Sequence, residues 1–121
     1  MIRQPTPSVT PSDVERVVRR DFTPEQFDAV MGILKEYGRE KWQREIPRVQ
    51  LAVLKLANGS LTGLRRSIEV AKTDYRDVLA PAEYPNYAKI DLDLRAQRSE
   101  QLERIFDSDW NQYDAWLRRG S

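Results

Sequence analysis

The chain has no cysteine and no histidine among its 121 residues. Without thiols there is no disulfide, no thiolate nucleophile and no zinc finger. Without imidazole there is no Ser-His or Cys-His couple and no proton shuttle working near neutral pH. What is left for catalysis is carboxylate, lysine, tyrosine or arginine chemistry, and no cofactor is called for. A basic excess is also missing: Lys and Arg number 20 against 19 for Asp and Glu, a formal net charge of +1. The signs are interspersed, whereas a chain that lives on duplex DNA or RNA draws its affinity from a surplus of phosphate-neutralising groups. Nucleic acid is therefore disfavoured as a partner. From Pro81 onward the balance tips slightly acidic, eight carboxylates to six basic groups. No stretch approaches the roughly 18 apolar residues of a membrane span, and Met1-Ile2-Arg3-Gln4-Pro5 lacks the apolar run of a signal peptide. The expectation is a cytoplasmic protein that does not engage a membrane.

What is present is helical periodicity. Trp42, Ile46, Val49, Val53 and Leu56 form one stripe, and Leu61, Leu64, Ile68, Ala71, Tyr75 and Val78 a second. Steps of three and four keep these side chains on one helical face. Asn58-Gly59-Ser60 lies between them, a helix stop followed by a helix cap. The pattern predicts an antiparallel helical hairpin at the centre of the domain.

Around it, residues 1–11 hold three of the seven prolines and read as a flexible arm. Residues 12–121 read as a single α-helical domain. Ser12-Asp13-Val14-Glu15 has the form of a capping box opening a helix with Val14, Val17 and Val18 inward. Thr23-Pro24-Glu25-Gln26 is a second start signal, for a helix burying Phe27, Val30, Met31 and Leu34. The helical pattern weakens at Tyr37-Gly38, resumes at Arg39 and runs to Ala57 with Pro47 inside it. Because the stripe keeps phase from Ile46 to Val49, a kink at Pro47 is favoured over a break. The next helix is expected to run from Leu61 to Ala80, with Pro81 to Tyr87 as a loop. Ile90, Leu92 and Leu94 alternate with Asp91 and Asp93, read as an extended loop or helix start. Leu102, Ile105 and Phe106 make a helical face, and Ser108 is the expected cap of a last helix carrying Trp110, Tyr113, Trp116 and Leu117. The sum is an all-α, single-domain bundle of five or six helices.

Three constellations invite a functional interpretation. Asp74 and Asp77, three apart on a helix, with Glu83 beyond, are the carboxylates that a Mg²⁺-dependent enzyme or ligand binder would use, with Arg76 to hold a phosphate. The competing interpretation is a solvated helix face with local ion pairs, and it is preferred because such spacing is common. Arg16, Arg65 and Arg66 are the basis of a weak nucleic-acid reading, countered by Glu69 at pairing distance from Lys72. Asp107-Ser108-Asp109-Trp110-Asn111 starts like a calcium loop, but Gln112 replaces the required glycine and Arg118 the bidentate glutamate, which excludes it.

The aromatic end is the more informative group. Trp110, Tyr113 and Trp116 on one short helix, with Tyr84 and Tyr87 in the preceding loop, must bury against the domain, a second copy or a partner. These five are the candidate partner-contact residues. The run from Arg48 to Gly59, followed by Asp74-Tyr75-Arg76-Asp77-Val78-Leu79, Glu83-Tyr84-Pro85 and Asp109-Trp110…Trp116-Leu117, resembles a group of short bacterial hypothetical proteins. The likeness covers about the last two thirds of the chain and implies a bacterial cytoplasmic origin, with no activity attached. The expected function is a non-enzymatic α-helical protein–protein interaction module that self-associates. A Mg²⁺-dependent enzyme or ligand binder at Asp74, Asp77 and Glu83 is the alternative, and a nucleic-acid binder the third choice.

Overall fold

The computed structural model describes residues 7–89 and 100–119. Among these residues there are six α-helices and no strand: α1 (Pro11–Asp21), α2 (Phe27–Leu34), α3 (Ile46–Ala57), α4 (Leu61–Thr73), α5 (Arg76–Glu83) and α6 (Glu100–Arg118). The all-α bundle expected from periodicity is what the chain forms. The alternating segment at Ile90, Leu92 and Leu94 lies outside the described residues, as does most of the proline-rich arm.

α3 is the axis of the bundle. Leu51, Ala52, Val53 and Leu54 are four consecutive buried residues, so every face of the helix is covered. It packs against α1, α4 and α5, and α6 lies on α5. α3 and α4 are joined by the three residues Asn58 to Ser60 and pack directly on each other. The Ser60 hydroxyl accepts from the Gly63 amide at 3.1 Å, which caps α4. A Cβ on Gly63 would lie 3.0 Å from the Ala57 carbonyl oxygen, so this first turn approaches α3 so closely that a side chain there would need the backbone to give by a few tenths of an ångström.

Several boundaries differ from the sequence pattern. α1 is capped by Thr10, two residues before Ser12: the Asp13 carboxylate accepts from the Thr10 amide at 2.9 Å, and the Thr10 hydroxyl from the Asp13 amide at 3.3 Å. Pro11 occupies the first helical position, where its missing N–H costs nothing, and this fixes the cap at the residue before it, Thr10. At Pro47 there is a break and no kink. Residues 39–45 are non-helical, Glu45 turns through the left-handed region at φ 55°, and Pro47 sits in the first turn of α3. Gly38, at φ 111°, lies at the start of this irregular segment. Buried polar groups then hold it in place: the Gln43 side-chain oxygen accepts from the Gly38 and Glu40 amides at 2.7 and 3.1 Å, and the Tyr37 hydroxyl donates to the Arg44 carbonyl at 2.8 Å.

The long helix expected from Leu61 to Ala80 is two helices. The Asp74 carboxylate accepts from the Arg76 amide at 3.0 Å, ending α4 and starting α5 by competing for a backbone donor. α5 then passes through Pro81 to Glu83, where a loop was expected. Pro81 is exposed, so water can serve the Asp77 carbonyl that loses its helical partner. Ser108 caps nothing; it is mid-helix in a continuous α6.

α6 is fastened at its C-terminus by α1. Arg16 donates to the Leu117 carbonyl at 2.7 Å, and Arg20 to the carbonyls of Trp116 at 2.7 Å and Arg119 at 3.2 Å. The Trp116 carbonyl also accepts from the Arg119 amide at 3.2 Å, which closes the last turn, and the guanidinium charge suits the negative end of the helix. The Arg20 side chain is only 5% exposed, paired with Asp21 at 2.8 Å and stacked over Trp116.

Candidate functional site: an exposed tryptophan face and an aromatic cavity

The five aromatic residues singled out in the sequence separate into two groups. Trp116 is half-buried against the core, with its ring 5.6 Å from that of Tyr113 and the Arg20 guanidinium 5.2 Å from its centroid. Tyr84, Trp110 and Tyr113 are brought together with Pro7, Glu83, Phe106 and Asp109 around one small cavity at the junction of α5 and α6. Tyr87 is adjacent, edge-on to Phe106 at 5.7 Å.

Asp109 explains how the loop and α6 meet. Its carboxylate, 1% exposed, accepts from the Asn86 amide at 3.2 Å, the Asn86 side chain at 2.9 Å and the Tyr87 amide at 2.8 Å. Gln112 adds a bond to the Ala82 carbonyl at 3.1 Å. Tyr113 is 2% exposed, yet its hydroxyl has no hydrogen-bond partner among the described residues. Burial, reinforced by the charge of Glu83, pushes this phenol well above the ordinary tyrosine range. Lys55 on α3 is half-buried; burial lowers its ammonium pKa, and the charge of Asp109 opposes that shift.

The carboxylate alternative is not assembled. Asp74 is engaged by Arg76 at 2.9 and 3.0 Å, which holds its carboxyl below the usual range. Asp77 is exposed. Glu83 is buried in a two-pronged pair with Arg48 at 2.7 and 2.8 Å, and Arg48 also binds Glu45. Among the described residues no group of three acidic side chains could hold a metal ion. The basic reading loses Arg16 to the end of α6, which leaves Arg65 and Arg66 exposed on α4.

Trp42 is the functional candidate that periodicity misassigned. It lies in the irregular segment before α3 and is 45% exposed. Ile46 at 39% and Val70 at 38% are the other exposed large apolar side chains among the described residues. Trp42 borders an open basin of about 540 Å³ with Glu36, Arg39, Glu40, Gln43 and Lys72. Lys72 pairs with Glu69 at 2.8 Å and Glu36 at 2.9 Å, bonds that raise its own pKa and lower that of Glu36. Arg39 and Glu40 are exposed and have no ion-pair partner among the described residues. The signal for this surface was present in the chain: Gly38 on one side and Pro47 on the other bracket Trp42 with helix breakers.

Comparison with protein-family models, with curated proteins and with solved structures finds no match for this chain. Among the described residues no helix is long and apolar enough to cross a membrane.

Proposed function

We propose that this chain is a non-enzymatic protein–protein interaction module that self-associates through the Trp42 face, in the bacterial cytoplasm that its sequence resemblance implies. The observation that carries the proposal is Trp42 itself, 45% exposed in a setting of charged side chains. A tryptophan ringed by polar groups is the composition of an interface hot spot, where the ring supplies apolar area and the rim excludes water.

The rim also argues for a second copy as the partner. Arg39 and Glu40 are neighbours of opposite sign beside Trp42, and neither is in an ion pair with a described residue. Across a two-fold axis, Arg39 of one copy meets Glu40 of the other twice over, so the patch complements itself. Trp42→Ala, which removes an exposed side chain, is expected to leave the fold intact and to weaken self-association at least tenfold. Sedimentation velocity across a concentration series reads this directly. A wild-type protein that stays monomeric to millimolar concentration contradicts the proposal.

A further inference from the structure

α2 carries a glycine in its interior that the fold of the single chain does not call for. Gly32 is exposed in regular helix, and a Cβ there would meet nothing within 4 Å. In mid-helix every residue but proline is a better choice, and glycine is of use where a backbone must stay open to close approach. Gly63 has such a neighbour within the chain, the Ala57 backbone, and Gly32 has none. What Gly32 does line is the basin of about 540 Å³ beside Trp42, where it leaves helix backbone bare.

The rest of the lining narrows what fills that basin. Arg39 and Lys72 stand against Glu36 and Glu40, two charges of each sign, so no net charge selects an ion. Lys72 is taken up by Glu36 and Glu69, and the charge of Arg39 bears on Glu36 as well. A neutral, flat group laid on bare backbone inside a charged rim is the occupant this surface suits. Trp42 is the largest of the exposed apolar side chains among the described residues.

In a two-fold contact both copies present the same surface, and the pairing that sets Arg39 of one against Glu40 of the other brings the two basins face to face. Resting on the self-association proposed above, we infer that Trp42 of each copy lies in the basin of the other, with its indole ring against the backbone of Gly32.

The test combines a variant with a measurement on the unaltered chain. Gly32→Gln fills the bare position with a good helix former, so it should melt no lower than wild type, while its self-association in sedimentation velocity should fall at least tenfold. In a mixed dimer of isotope-labelled and unlabelled wild-type copies, filtered NOE spectra should place the Trp42 indole protons next to the Gly32 α-protons across the interface. If wild type stays monomeric to millimolar concentration, or if Trp42→Ala associates as wild type does, the self-association reading fails and this inference with it. If wild type associates through Trp42 but Gly32→Gln associates equally well, or the filtered spectra lack the Trp42–Gly32 contact, only the seating of Trp42 on Gly32 is overturned.

Discussion

At the scale of single residues, the buried charges decide the energetics. Glu83 is inside the protein with both oxygens on Arg48. Removing the guanidinium alone leaves a carboxylate stranded away from water, whereas removing both charges leaves an apolar contact. Arg48→Met is therefore expected to cost about 3–5 kcal/mol, and Arg48→Met with Glu83→Leu to recover most of that loss. Urea denaturation of the two variants and wild type gives the comparison. Equal destabilisation of the single and double variants would show that Arg48 matters through packing alone.

Two buried tyrosines set the alkaline limit of the fold. Burial pushes the Tyr37 phenol up to about 12, and Tyr113 is raised by burial and Glu83. Because the folded state holds these protons more tightly than the unfolded chain does, their contribution is complete below pH 10. It is lost as pH rises from about 10 through the folded values, at about 1.4 kcal/mol per pH unit for each tyrosine. Thermal melting between pH 9 and 12 should fall steeply, and less steeply in Tyr37→Phe. An identical alkaline slope in that variant would mean that Tyr37 ionises freely in the folded protein.

At the scale of elements, the sequence was legible at α2 and α4, where an apolar stripe follows a start signal that the fold uses. α2 and α4 start close to where their signals lie, Thr23-Pro24 and Ser60. Where it misled, side chains or backbone groups acted in ways that periodicity does not encode. Asp74 ends a helix by bonding to a backbone amide, although the apolar spacing continues to Val78. Asp109 fills a core-facing slot of α6, between Phe106 and Tyr113, because three N–H donors satisfy its charge there. Read as a polar interruption next to Ser108, it imitates a helix start. The site was half legible: the cluster of Tyr84, Trp110 and Tyr113 was visible, but Trp42 was absorbed into a stripe because Ile46 to Val49 keeps phase within α3 alone.

Two glycines test the packing of these elements. Gly32 on α2 is exposed, and a Cβ there would meet nothing within 4 Å, so Gly32→Ala should stabilise by about 0.5–1 kcal/mol through helix propensity. Gly63 has the Ala57 backbone at 3.0 Å from the same added atom, so Gly63→Ala should destabilise by about 1–3 kcal/mol despite the same gain in propensity. Denaturant midpoints of the pair check the sign. A stabilising Gly63→Ala would mean that α3 and α4 do not approach as closely as described.

At the scale of the whole molecule, the bundle has a closed side and an open side. α6 is locked to α1 by Arg16 and Arg20 and to the segment after α5 by Asp109, which commits Tyr113 to the interior and holds Trp116 half-buried against the core. The surface bearing Trp42 has no such fastening among the described residues, and on the proposed two-fold contact its exposed Arg39 and Glu40 would supply complementary charges. The most direct measurement is sedimentation velocity on Arg39→Glu, on Glu40→Arg and on their equimolar mixture. Each variant alone sets like charges against each other across the axis, while the mixture restores opposite ones. The account predicts that each variant alone is shifted toward monomer and that the mixture recovers dimer. A mixture no more associated than its components, or variants that associate as wild type does, would contradict it.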